Sequence, residues 1–376
     1  MKLAIVTQFP RDPEFPYGGV EAVSVNLVRG LCAFDDLSID VVTLDKNSKT
    51  TDTYEWEGAR IHRLPRKTDN ELLNAISTGK TAISHYLDKL SPDIVHAHDT
   101  YGIMTCDITL PKVFTVHGFI YGDTILSNKK LPWLRSKLWK YIETRGWSKQ
   151  PHIISISPYV RERVSQFSKA VIHDIDNPIS SSFFDLQRQN SSNVIFSAAV
   201  ISPRKNTLNL IYAVERLLDQ GINVELRLAG SVSNPQYGEL VEQAIVQHDL
   251  TDNVKLLGRI TTAEIQKHLT ESSIFALVSY EENSPMGIEE AMAAGVPVIT
   301  SNMCGMPYMV KDGESGFLVN PSDVKDIARR MMLILDDDHL KTRMQECAKQ
   351  IARDRFHPDV VARKTYNVYK DILASD

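Results

Sequence analysis

Short apolar, β-branched runs alternate with longer amphipathic stretches along almost the whole chain, and this alternation limits the fold more than any other feature. Leu3-Ala4-Ile5-Val6-Thr7 opens the series, and further runs at 39–44, 60–64, 94–98, 113–117 and 153–157 predict buried strands. Between several of them, as at 20–34 and 70–90, apolar residues recur at helical spacing. Strands buried on both faces and separated by helices predict a parallel sheet covered on each side. From Asp176 to about Asn193 the pattern stops in polar, turn-forming residues, which places a linker at 179–192. A second series follows, with strands at 194–199, 224–229, 254–257, 274–279 and 296–300. Helices fall near 207–219, 236–248, 261–271 and 285–294. The expected fold is α/β: two Rossmann-like, doubly wound domains at 1–178 and 193–357. A last amphipathic helix, 358–376, follows Pro358 and packs toward the first domain. Ligands of such sheets bind beyond the carboxyl ends of the strands, so the cleft between two such domains is the expected active site.

Composition narrows the function. Among 376 residues, 42 Lys and Arg face 47 Asp and Glu, a net charge of −5. That balance argues against a protein built to coat nucleic acid. Cys32, Cys106, Cys304 and Cys347 form no CxxC pair, so neither a zinc knuckle nor a redox motif is readable, and scattered thiols suit a reducing compartment. No apolar run approaches the roughly 18 residues a membrane span needs. Met1-Lys2 leads straight into Leu3–Thr7, a run too short for a signal-peptide core that reads as a buried first strand.

The most informative segment runs from Ser279 to Pro297. The strand ending at Val278 turns into a short helix, with Ser284 suited to N-cap it, Pro285 to open it, and Gly295-Val296-Pro297 to end it. Its N–H groups would face outward at a strand's carboxyl end, where a phosphate is favoured. Glu282 lies in the turn and Glu290 eight residues on. Carboxylates accept hydrogen bonds from vicinal hydroxyls, which suits a sugar and a ribose. An acidic, solvated helix start fits the same residues. For Glu281 and Glu289 the solvated reading is taken; for Glu282 and Glu290 the physics leaves both open.

Glu282-x7-Glu290 followed by Ala291-Met292-Ala293-Ala294-Gly295-Val296-Pro297-Val298 resembles the signature of retaining glycosyltransferases of family 4, which have the GT-B fold. The resemblance implies that Glu282 touches the transferred sugar and Glu290 holds the nucleotide ribose. Asn283-Ser284-Pro285 stands where the family has Gly-Phe-Gly, and Met286 and Gly287 continue the donor-facing helix start. Tyr17-Gly18-Gly19-Val20-Glu21 is similar to the family's glycine loop after the first strand, where Gly18 and Gly19 let backbone N–H groups approach a diphosphate; a plain turn before a helix is the other reading. Thr115-Val116-His117-Gly118 matches the family's Thr-x-His-Gly, which implies a catalytic role for His117. Of the pair His96 and His98, the second is expected to reach the cleft and the first to pack. Ser202-Pro203-Arg204-Lys205-Asn206 resembles the phosphate-binding turn, with Lys205 on the diphosphate. The family's partner Arg is absent, since Ala199 and Val200 occupy that region; either Arg204 substitutes or the donor is held differently. Gly258-Arg259 resembles the turn framing the base. Tyr308 replaces a Glu of the family, and 312–319 reads as a hairpin-like turn.

Residues 129–149 carry Lys129, Lys130, Arg135, Lys137, Lys140, Arg145 and Lys149 against a single acid, Glu143, with Trp133, Trp139 and Trp147 interleaved. This pattern reads either as a membrane-surface helix or as a helix packing its Trp face on the first sheet. The resemblance as a whole implies a hexosyltransferase with retention, moving a sugar from a UDP- or GDP-sugar to a hydroxyl acceptor. The acceptor is expected to be a glycan or lipid-linked glycan of bacterial polysaccharide or lipopolysaccharide assembly. The enzyme would be cytoplasmic or peripheral at the inner membrane face, without metal or other cofactor and without nucleic acid. A nucleotide-sugar epimerase of the same shape and a non-catalytic nucleotide-sugar-binding subunit are the alternatives.

Overall fold

The computed structural model describes residues 1–125, 131–189 and 193–375. It divides into two compact units, one formed by residues up to Pro178 together with the helix that begins at Pro358, the other by Ile179–His357. Unit 1 contains β1 (Lys2–Val6), α1 (Gly19–Leu31), β2 (Ser38–Asp45), β3 (Asp52–Trp56), β4 (Ala59–Pro65), α2 (Glu71–Leu73), α3 (Gly79–Leu90), β5 (Ile94–His98), α4 (Thr100–Met104), β6 (Lys112–Val116), α5 (Ile120–Ile125), α6 (Pro132–Ser148), β7 (His152–Ser155), α7 (Pro158–Ser165) and β8 (Val171–Asp174). Unit 2 contains β9 (Val194–Ala198), α8 (Thr207–Asp219), β10 (Glu225–Ala229), α9 (Pro235–Gln247), β11 (Val254–Gly258), α10 (Thr262–Glu271), β12 (Ile274–Leu277), α11 (Met286–Ala293), β13 (Val298–Ser301), β14 (Gly316–Val319), α12 (Val324–Asp336) and α13 (Asp338–Arg355). The last helix, α14 (Pro358–Ser375), belongs to unit 1.

The strand order among the described residues is β3-β4-β2-β1-β5-β6-β7-β8 in unit 1 and β11-β10-β9-β12-β13-β14 in unit 2. Every pair is parallel except β3 with β4. The chain leaves β1 to one side for β2 and later returns to β1's other side as β5; β9 is flanked in the same way by β10 and β12. At such reversals the loops beyond the carboxyl strand ends diverge and leave a crevice. This topology decides which loops meet: those after β1 and β5 in unit 1, and those after β9 and β12 in unit 2.

Several elements differ from expectation. β3 and β8 sit at sheet edges and are polar, so neither carries a buried-strand signature. Residues 316–319, read as part of a hairpin-like turn, form β14, parallel to β13; only the preceding 312–315 turns, with Asp312 accepting from the Leu318 N–H at 2.9 Å. The helix expected over 70–90 is interrupted by a π-turn at Asn74–Thr78. The 179–189 part of the expected linker is packed structure: Ile179 and Phe183 are buried in unit 2, and the Gln189 N–H bonds the Thr270 carbonyl at 3.1 Å. Its polar composition hid three buried anchors, Ile179, Phe183 and Phe184. Residues 190–192 of that expectation, and 376 of the last helix, lie outside the described residues.

α14 crosses α1 so closely that a Cβ on Gly30 would lie 2.9 Å from Ala362 Cβ. Tyr366 stacks on Phe34, and the fully buried Tyr369 reaches His96. Among the described residues, no helix is long and apolar enough to cross a membrane.

Candidate active site

In unit 2 the loops after β9 and β12 are stitched together. The Tyr280 N–H donates to the Arg204 carbonyl at 2.9 Å, and Arg204 Nη1 donates to the Glu281 carbonyl at 2.8 Å. Asn206 adopts a left-handed conformation at φ 57° and uses its side-chain NH2 on the carbonyls of Val278 and Pro321. A short polar side chain tolerates that conformation and satisfies the turn at once. The result brings Lys205 Nζ onto Glu282 Oε1, with Arg204 Nη1 3.6 Å from the same oxygen. Glu282 is 8% exposed. A nearly buried carboxylate and two partly exposed cations are thus gathered at the switch point, where their fields act more strongly than in bulk water.

The loop after β13 closes the other side. The Gly305 N–H donates to the Glu282 carbonyl at 2.8 Å, and a Cβ on Gly305 would fall 1.8 Å from the Asn283 oxygen, so only glycine fits. α11 begins one residue later than expected. Pro285, not Ser284, occupies the N-cap position, and no side chain caps the helix. Ser284 instead donates to Glu289 Oε1 at 2.7 Å. Glu289 is 0% exposed, which corrects its reading as a solvated acidic residue: it is an internal anchor of the 283–285 loop. The C-terminal end follows expectation. Gly295 sits at φ +70°, and the Val296 N–H reaches the Ala291 carbonyl at 2.8 Å, the paired bonding of a Schellman ending.

Glu290 is half-buried in α11, and burial pushes its carboxyl up to about 8. Gly287 packs where a Cβ would meet Phe275 at 3.0 Å and the Ala198 oxygen at 3.2 Å, holding α11 close to β9 and β12. Gly258 takes φ +65°, and its carbonyl accepts from the Gly230 N–H at 2.7 Å, which sets the turn leading to Arg259. Ala199 and Val200 supply no cation, and the guanidinium nearest Glu282 is that of Arg204.

In unit 1 the corresponding place holds neutral imidazoles. His117 follows β6, and its Nε2 lies 2.9 Å from His98 Nδ1. Burial holds the His117 imidazole down to about 4, opposed by a hydrogen bond to Asn177. His98 is held well below its ordinary value by burial, with His96 and His117 adding to the effect. Its Nε2 is buried without a partner, and the residue lines a recess with Asn177, Thr115 and Pro178. His96 packs as expected, bonded to Tyr369 OH at 2.6 Å and Thr115 Oγ1 at 2.7 Å. Asp99, which sequence reading passed over, sits at φ 47° and accepts from the His117 N–H at 3.3 Å; burial raises its carboxyl to about 6. Gly18 is the residue before α1, with open space around the position of a Cβ, and Gly19 begins the helix. The Tyr17 N–H donates to Glu21 at 2.6 Å. Among the described residues, no three His, Cys, Asp or Glu side chains group as a metal site.

Comparison with known proteins agrees with this geometry. Residues 17–183 match the model of Glycosyltransferase Family 4, and residues 179–351 match that of Glycosyl transferases group 1. The two models in succession cover 17–351, and the chain belongs to the glycosyltransferases of the family-4 and group-1 type, with the GT-B fold. An uncharacterized glycosyltransferase of Methanocaldococcus jannaschii is 22% identical over 369 residues, 95% of this chain and 96% of the relative. The amylovoran biosynthesis glycosyltransferase AmsK of Erwinia amylovora is 34% identical over 36% of this chain and 34% of its own length. N-acetyl-alpha-D-glucosaminyl L-malate synthase of Bacillus anthracis likewise matches over less than half its length, 44%, at 24% identity. Among solved structures, sucrose-phosphate synthase of Thermosynechococcus elongatus superposes with a TM-score of 0.84 at 18% identity, over 100% of both chains. HepE of Anabaena, solved with UDP, gives 0.74 at 18% identity, over 99% of this chain and 100% of its own.

Proposed function

We propose that unit 2 binds a nucleotide-diphosphate sugar and that transfer to a hydroxyl acceptor proceeds with retention. The observation that carries this reading is the convergence of Lys205, Arg204 and Glu282 at the switch point, beside the uncapped N-terminus of α11. Lys205 and Arg204 would neutralise the diphosphate, with backbone N–H groups at Met286 and Gly287 pointing at it. Glu282 would accept from sugar hydroxyls, Glu290 from the ribose, and Asn283, Ser284 and Pro285 would shape the sugar end. Gly258 and Arg259 would frame the base. In unit 1, His117, held by His98, and the Gly18-Gly19 segment would serve the acceptor and the reacting sugar.

Chemically, the bond between the anomeric carbon and the diphosphate oxygen breaks. The acceptor oxygen bonds to that carbon on the same face, and its proton passes to the departing phosphate oxygen. Lys205 stabilises the charge that develops there. No protein nucleophile and no metal enter this scheme. The acceptor we infer is a glycan or lipid-linked glycan, in the cytoplasm or at the inner face of the membrane. Partial relatives support this class: AmsK is named for amylovoran biosynthesis, and a putative glycosyltransferase of Escherichia coli, WcaL, for colanic acid biosynthesis. A screen of UDP- and GDP-sugars tests the reading. Selective binding with slow release of free sugar, abolished by Lys205→Ala, supports it; binding without turnover in the presence of membrane extract would favour a non-catalytic subunit.

A further inference from the structure

The inner face of α6 is fully committed. Trp139 and Trp147 are buried in the unit 1 core, and Glu143, also buried, accepts from the N–H groups of Ile120 and Tyr121 at 3.0 and 2.8 Å, anchoring the start of α5. The helix therefore has no freedom to roll. Yet its outer face is apolar too: Leu131, Trp133, Leu134, Leu138 and Tyr141 are 58, 53, 50, 44 and 59% exposed. Leu134, Leu138 and Tyr141 recur at i, i+4 and i+7 and so form one stripe. A contiguous exposed apolar stripe on a helix whose other face is already packed marks an interaction surface.

Charge identifies the occupant. Arg135, Lys137, Lys140 and Arg145 border the stripe, all exposed, and Glu143, the acid of this helix, points inward. Lys137 Nζ lies 5.5 Å from the Trp133 ring, and Lys140 Nζ 5.7 Å from the rings of Tyr121 and Phe167. Phe167, itself exposed, widens the patch. Long cationic side chains beside a Trp and a Tyr match a lipid interface, where headgroups take the charge and acyl chains the apolar stripe. A second copy presenting the same cationic face would be repelled. We propose that α6 docks unit 1 in the plane of an anionic lipid bilayer, inserting Leu131, Trp133, Leu134 and Leu138. Of the residues expected at this surface, Lys129 and Lys130 lie outside the described residues, and Trp139 and Trp147 belong to the core.

The proposal is independent of the transferase reading, because lipid binding needs neither donor nor turnover. The test is sedimentation of the intact chain with vesicles of phosphatidylcholine alone and of phosphatidylcholine with phosphatidylglycerol. Binding is expected only to the anionic vesicles, about thirtyfold weaker in Lys137→Ala/Lys140→Ala and lost in Trp133→Ser/Leu134→Ser/Leu138→Ser. A second readout needs no apolar deletion: brominated phospholipid should quench the emission of Trp133, by comparison with Trp133→Phe. No sedimentation with anionic vesicles, equal binding to neutral ones, or absence of Trp133 quenching overturns the proposal. So does a concentration-dependent dimer that the triple substitution abolishes.

Discussion

The two units share a topology but equip the same structural position in opposite ways. At the switch point of unit 2, the protein gathers full charges and lets them satisfy one another: Lys205 and Arg204 share a single oxygen of Glu282. In unit 1, the strand ends carry His96, His98 and His117, kept neutral by burial; His98 and His117 are hydrogen-bonded to each other and His96 to Thr115. Charges that neutralise a diphosphate must be present before the ligand arrives, and an internal partner keeps them ordered until then. A group that touches an uncharged hydroxyl gains nothing from a permanent charge, and a neutral imidazole both donates and accepts. The resting pair also implies an exchange: a bound diphosphate would draw Lys205 away from Glu282, leaving that carboxylate for the sugar.

Lys205→Ala should have the largest effect, a loss of about a hundredfold to a thousandfold in kcat, the range for removing one group that stabilises developing charge; a steady-state assay with the preferred donor checks it. Next, Gly305→Ala forces a Cβ against the Asn283 carbonyl and should cost about 1–3 kcal/mol, read from denaturant unfolding, with weakened donor binding because the 283–285 loop shifts. Acid should separate the units. The unfolded histidines gain protons below their ordinary 6.5, whereas His96 and His117 resist down to about 3 and 4. Stability therefore falls as the pH drops through that window. Glu143, raised to about 8, and Asp99, raised to about 6, oppose this, but three histidines outnumber two carboxyls. The net direction is a loss of unit 1 stability toward acid, and hydrogen exchange at pH 5 should show unit 1 opening before unit 2. The last effect concerns Glu290. If the ribose is taken by its carboxylate, donor affinity should rise with pH by up to about tenfold per unit until about 8 and then level; Glu290→Gln should flatten that profile in calorimetric titrations.

Much of this was legible in the sequence because the signals are local. The helix at 207–219 and the strand at 94–98 were expected within a residue of where they lie, since buried strands and amphipathic helices write their period directly into the chain. Gly295 and the ending of α11 follow from chemistry confined to three residues. What escaped depends on distant partners. β14 is a strand because β13 is beside it, and nothing within 316–319 separates it from a turn. Glu289 looks like any acid at a helix start until Ser284 and the surrounding core remove it from water. Asn206 and Gly305 brace these loops through the carbonyls of Pro321 and Glu282, and neither residue type announces that role. Trp133 and Trp139 sit six residues apart in one helix with opposite fates, which only the packing of α6 decides.

The most direct test of the account is a calorimetric titration of UDP and GDP, without sugar, into the wild type, Lys205→Ala and Glu282→Gln. If Glu282 holds Lys205 until a diphosphate displaces it, Lys205→Ala loses nucleotide binding. Glu282→Gln then binds the free nucleotide at least as tightly as wild type, even though it no longer transfers sugar. Equal binding by wild type and Lys205→Ala, or loss of nucleotide binding in Glu282→Gln, would contradict the donor site assigned to unit 2.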